Sequence, residues 1–149
     1  MSWNDWQLID LRMRILGIDP GISVTGWGIV ESNGNRYTAV AHGCIRTDRA
    51  APLPVRLGEI FSGLNLVIAK YQPKLAVVEE IFVSQNPASA LKLGHARGVA
   101  IAAANHGNLE VFEYSALQIK KAVVGYGRAE KHQVQEMVRM LLAMPKQAP

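Results

Sequence analysis

The stretch Met13-Arg14-Ile15-Leu16-Gly17-Ile18-Asp19-Pro20-Gly21 decides the fold. An apolar, branched run that closes on an acid and a Pro-Gly turn reads as a buried strand. Strand alternation puts Ile15, Gly17 and Asp19 on one side and Leu16 and Ile18 on the other, so the carboxylate stands at the strand's end with a small residue beside it. A carboxylate is costly to bury alone. An Asp before a turn also caps turns, and that plain structural role stands beside a functional one.

Outward from this strand, Val24–Glu31 and Tyr37–Thr47 read as two more, separated by the hairpin signal Ser32-Asn33-Gly34-Asn35. Short connections between three successive strands predict an antiparallel meander. After Pro52 and Pro54 the period changes: Leu57, Ile60, Phe61, Leu64, Ile68 and Tyr71 fall at helical spacing until Gln72-Pro73 stops the helix. Leu75–Glu79 is a short buried strand. Asn86-Pro87 opens a helix to about Asn105 that is rich in Ala and Gly, a composition that permits close helix packing. Leu109–Tyr114 is a fifth strand, Ser115-x-x-Gln118 is a capping box opening a short helix, and a last helix carries Val134, Met137, Val138, Leu141 and Leu142 on one stripe until Pro145. The expected fold is an α/β domain, a mixed five-stranded sheet flanked by helices.

Composition agrees. The chain has 149 residues, 49% hydrophobic and 19% charged, which suits one globular domain and excludes disorder as the main state. Its uncharged runs fall far short of the ~20 apolar residues that cross a bilayer. A single cysteine, Cys44, excludes an internal disulfide and a Cys-pair zinc site, fits a reducing, cytoplasmic setting, and reads as a small core residue. His42, His95, His106 and His132 show no ligand spacing. Met1–Arg12 holds two Trp and two Asp, lacks the features of a signal peptide, and reads as an extension, a vector-derived remnant or an upstream start, with the domain proper at 13–149. The net charge is +4, and all of this excess lies after Ser115, where Lys120, Lys121, Arg128, Lys131, Arg139 and Lys146 face only Glu130 and Glu136. Such a segment is a candidate phosphate-facing surface.

The second acidic point on a buried strand is Glu79-Glu80. Alternation sends these two side chains to opposite faces, and spacing does not choose between them. If the strands ending at Asp19 and at Glu79-Glu80 are neighbours, their carboxylates converge. Such an oxygen cluster favours hard cations such as Mg²⁺ or Mn²⁺, and with them nuclease or phosphotransfer chemistry.

Ile15 to Gly21, Gly43-Cys44-Ile45-Arg46-Thr47, Ser89-Ala90-Leu91-Lys92-Leu93-Gly94, Ala96-Arg97-Gly98-Val99-Ala100, Val123-Val124-Gly125 and Ala129-Glu130-Lys131 together resemble the RuvC family of Holliday junction resolvases. The likeness runs from Met13 to the last residue. It implies a ribonuclease H-like fold and a homodimeric endonuclease that cuts four-way junction DNA symmetrically with two Mg²⁺ ions, Mn²⁺ serving as a substitute, alongside the RuvA and RuvB motor proteins. By the same resemblance Asp19 and Glu79 are catalytic, metal-binding carboxylates and Glu80 is not. Lys120 and Lys131 match lysines near the site, and Phe82 matches an aromatic that stacks on junction bases. Lys121 and Arg128, in the basic quarter, are further DNA-contact candidates. Without the resemblance the lysines read as solvated surface and Phe82 as core. The helix Pro87 to Asn105 is the expected dimer contact, and Arg97 on it has no assigned role.

The family pattern continues into a helix bearing Asp-x-x-Asp, whereas this chain stops at Pro149 and holds only Glu130 and Glu136 after Glu113; half of the metal cage is therefore expected to be absent. Two alternatives stand beside the nuclease. One is a catalytically inactive junction-binding form of the same fold. The other rests on Asp19 to Gly28, Asp-x-Gly-x-x-x-x-Gly-x-Gly, which resembles the phosphate loop of actin-like ATPases, proteins that need a second large domain.

Overall fold

A computed structural model describes residues 12–33, 36–80 and 86–114. Seven elements follow in order: β1 (Arg12–Asp19), β2 (Val24–Asn33), β3 (Arg36–Arg46), α1 (Leu53–Tyr71), β4 (Leu75–Glu79), α2 (Pro87–His106) and β5 (Glu110–Tyr114). They match the expected order, and β4 matches to the residue. β1 begins at Arg12, one residue before Met13. The helices predicted after Ser115, and the extension before Arg12, lie outside the described residues.

The five strands form one sheet in the order β3-β2-β1-β4-β5. β1, β2 and β3 pair antiparallel as the meander requires, while β4 runs parallel to β1 and β5 parallel to β4. The sheet is therefore mixed, with its most apolar strands in the middle.

Alternation sorts the side chains onto two faces. Leu16, Ile18, Ile29, Ala76 and Val78 share a core with Ile60, Leu64, Val67 and Ile68 of α1 and Ala96, Ala100, Ala103 and Ala104 of α2. Ile15, Val30, Leu75 and Val77 point the other way and are buried as well, although they lie outside that cluster. A strand buried on both faces reads as a continuous apolar run, which is why Leu75-Ala76-Val77-Val78 carries no alternation of its own.

The helix ends follow local chemistry. Pro52 is the N-cap of α1 and Pro54 lies in its first turn, where a missing N–H costs nothing. Gln72 ends it in a left-handed conformation, φ 50°, with its N–H on the carbonyl of Ile68. The Asn86 side chain accepts from the N–H groups of Ala88 and Ser89 at the start of α2, as predicted for a cap. Small residues set the packing distances: a Cβ at Gly63 would press on the side chain of Ile45, and one at Gly43 on the ring of Trp27.

One expectation needs correction. Cys44 is half-buried rather than in the core, because β3 is an edge strand and Cys44 pairs with Gly26. The small residues of α2 divide between two faces. Ala96, Ala100, Ala103 and Ala104 are buried in the core, while Gly94, Gly98 and Ala102 are exposed beside Leu91 and His95.

Candidate active site

Asp19 and Glu79 are the last residues of β1 and β4. These strands are parallel neighbours, registered through Gly17↔Val77 and Ile18↔Val78, so the next residues on each strand are Asp19 and Glu79. Paired residues on adjacent strands share a face, and strands lie ~4.8 Å apart. Both carboxylates therefore stand side by side on the face turned away from α1 and α2, and both are half-buried. Glu80, one residue past the strand, is exposed. Glu79 is thus the member of the acid pair that joins Asp19.

The turn behind Asp19 is tightly held. The Thr25 hydroxyl, fully buried, donates to the Gly21 carbonyl at 2.8 Å and accepts from the Gly21 N–H at 3.3 Å. A Cβ at Gly21 would run into the carbonyl of Val24, so the Pro20-Gly21 step needs its glycine. Thr47 donates to the carbonyl of Ile22, and Arg56 of α1 donates to Thr47 Oγ1 at 3.0 Å and to Ser23 Oγ at 3.2 Å. β2, the residue just past β3 and α1 thereby fix the residues that follow the first carboxylate. Beside Asp19, the register brings Gly26 opposite it and sets Gly28 opposite Gly17, so β1 and β2 contribute no side chain to the strip of sheet next to the acid.

Glu79 is held from behind. Arg97 of α2 donates from Nε to the Glu79 carbonyl at 3.1 Å and from Nη2 to Glu113 Oε1 at 2.5 Å. Glu113 pairs with Val78 and so projects toward the helices, opposite to the Glu79 side chain. Residue-by-residue reading left Arg97, Thr25 and Arg56 without roles; the partners of Arg97 and Arg56 lie up to 18 and 33 positions away in chain and the fold makes them neighbours, whereas the Thr25–Gly21 pair is a local turn contact four positions apart. Phe82, Lys120, Lys121, Arg128, Lys131 and His132 lie outside the described residues. Among the described residues no group of three or more His, Cys, Asp or Glu comes together, and no helix is long and apolar enough to cross a membrane.

A mixed five-stranded sheet in this order, with acids at the ends of two adjacent inner strands, places the chain in the ribonuclease H-like fold class. The comparisons with known proteins give the family. Residues 15–149 match the family model described as crossover junction endodeoxyribonuclease RuvC, and the chain belongs to that family. The crossover junction endodeoxyribonuclease RuvC of Magnetococcus marinus is 56% identical over 134 residues, covering 90% of this chain and 74% of the relative; that of Syntrophotalea carbinolica is 57% identical, covering 90% and 83%. Thermus thermophilus RuvC in complex with a Holliday junction substrate superposes with a TM-score of 0.68 at 32% identity, over 92% of this chain and 84% of that one. The yeast mitochondrial Holliday junction resolvase, at 13% identity and TM-score 0.55 over 85% and 60% of the two chains, shares the fold. Membership in a family of nucleases decides against the actin-like ATPase reading of Asp19 to Gly28.

Proposed function

We propose that Asp19 and Glu79 are two acidic ligands of a Mg²⁺-dependent hydrolytic site, with which the chain cuts the phosphodiesters of four-way junction DNA symmetrically as a homodimer. The observation that supports this is the side-by-side position of the two carboxylates at adjacent strand ends. Such oxygens are hard donors and suit Mg²⁺ or Mn²⁺. The pair supplies half of a carboxylate cage, the rest of which the resemblance assigns to the family's Asp-x-x-Asp helix. When bound, the metal supplies an activated water and charge stabilisation at the scissile phosphate.

Around that site the chain's own residues have separate tasks. Asp19 and Glu79 hold the cations without which two carboxylates would repel a phosphate. Lys120 and Lys131 offset phosphate charge near the reacting bond, Lys121 and Arg128 bind the backbone further out, and Phe82 stacks on a base at the branch point. Two cuts at symmetric positions need two sites related by a two-fold axis, and the exposed stripe Leu91, Gly94, His95, Gly98 and Ala102 of α2 is the surface for it: Gly94 and Gly98 have no described atom within 4 Å of a Cβ built there. RuvA and RuvB as partners, and a cytoplasmic setting, follow from the resemblance and the cysteine usage.

The test is cleavage of a synthetic four-way junction against Mg²⁺ concentration, using the chain continued through an Asp-x-x-Asp segment. Paired nicks should appear only with the metal. Asp19→Asn keeps the shape and loses the charge, so it should abolish cutting while junction affinity, measured in Ca²⁺, persists. Cutting by Asp19→Asn at the parent's rate would overturn the assignment; binding without cutting by the parent itself would favour the inactive junction-binding form.

A further inference from the structure

We infer that Arg97 is a positioning residue for Glu79, acting through the backbone and not on DNA. This rests on the reading of Glu79 as a metal ligand. The geometry that carries the inference is a guanidinium shared by three elements. Arg97 is on α2, it donates Nε–H to the carbonyl of the last residue of β4, and its Nη2 is ion-paired with Glu113 on β5.

A strand end is where a backbone frays, because the ladder that holds each residue stops there. Glu79 has a ladder partner on the β5 side, Tyr114, whereas the registered pairing with β1 ends at Ile18↔Val78. The guanidinium supplies a further hold on its carbonyl at that point. Its planar fork allows the two bonds to be made at once in fixed directions, which a lysine ammonium does not reproduce.

Direction excludes the alternatives. Glu113 lies opposite Val78, whose side chain is in the core shared with both helices, so the Arg97–Glu113 pair is on the helix side of the sheet. The Glu79 carboxylate is on the other side. A phosphate seated at Asp19 and Glu79 is therefore separated from the Arg97 guanidinium by the strand itself. Two of its nitrogens are already bonded and its side chain is only 22% exposed, so a subunit contact through this group is equally disfavoured. Glu113 also neutralises the cation locally, which leaves orientation, more than charge, as what Arg97 contributes at the site.

Partners hydrogen-bonded to a ligating side chain itself are worth roughly 10–100-fold in metal affinity or activity when removed, and that range sets the scale for a hold on the ligand's backbone. The test uses the chain carrying the downstream acids, with three readouts: Mn²⁺ affinity by electron paramagnetic resonance, the Mg²⁺ midpoint of junction cleavage, and junction affinity in Ca²⁺. Arg97→Ala should weaken Mn²⁺ binding and raise the Mg²⁺ midpoint by about that 10–100-fold, with junction affinity unchanged. Arg97→Lys should recover part of the loss. Glu113→Gln removes one charge from a half-exposed side chain and should shift both metal readouts the same way by less; should Arg97→Ala fail to fold, this variant decides.

Parent-like Mn²⁺ affinity and Mg²⁺ midpoint in the Arg97 and Glu113 variants, alongside their loss in Glu79→Gln, would overturn the positioning role alone. Parent-like behaviour of Glu79→Gln would instead remove the reading on which it rests. A fall in junction affinity with unmoved metal readouts would make Arg97 a DNA contact, against the inference.

Discussion

At the residue, the decisive contrast is between Glu79 and Glu80. They are adjacent in chain and identical in chemistry, yet one ends a strand beside Asp19 and the other is exposed past the strand end. Glu79→Gln should abolish metal-dependent cutting and Glu80→Gln should leave it near the parent's rate, as a cleavage time course on one junction will report; equal losses would mean that strand alternation does not sort the two. Tyr37 makes a separate prediction about pH. Burial raises its hydroxyl above the ordinary value of 10.0, with a hydrogen bond to Ser32 opposing, so the folded chain holds this proton more tightly than the unfolded chain does. The stabilisation is present in full below the unfolded value and is lost as pH rises through the folded one. Melting temperatures of the parent should therefore fall more steeply than those of Tyr37→Phe above pH 10, and parallel curves would refute it.

At the element, α2 has a buried face and an exposed one. Ala100 touches the sheet and α1 inside the protomer, so Ala100→Leu overpacks the core and should cost about 1–3 kcal/mol, seen as a lower melting temperature. Gly98 has no described neighbour within 4 Å of a Cβ. Gly98→Trp should leave the fold intact and move the solution mass from dimer toward monomer. Sedimentation that finds a parent-like dimer in both Gly98→Trp and Ala102→Trp would exclude this face. The composition of the helix alone does not tell these faces apart, because Ala and Gly suit an internal contact as well as an external one; the sheet's position decides which residues turn inward.

At the whole molecule, the charge is divided between regions. The net +4 belongs to the segment after Ser115, while β1 and β4 end in the acids Asp19 and Glu79. A protein that holds metal with carboxylates and DNA with a separate basic segment should lose affinity steeply with salt, since each neutralised phosphate releases counterions. Replacing Lys120, Lys121 or Lys131 with Glu should each reduce the slope of log affinity against log salt by about one. A slope that is flat, or unmoved by these substitutions, would show that the DNA face lies elsewhere.

The sequence by itself determined the element order, because strand and helix periods, the Asn86 cap, the helix opening at Pro52 and Pro54 and the stop at Pro73 are local properties of the chain. It also marked Asp19, an acid at the end of an apolar strand. Only tertiary structure decided that β4 lies against β1 and not against β3, its sequence neighbour among the strands. That pairing brings together two carboxylates 60 positions apart, and separates Glu79 from Glu80. The same holds for Arg97: its two partners come from two different strands, and no spacing in the chain encodes their meeting. Local pattern is governed by interactions between near neighbours, whereas an active site is built from strand ends whose proximity depends on the burial of every strand between them.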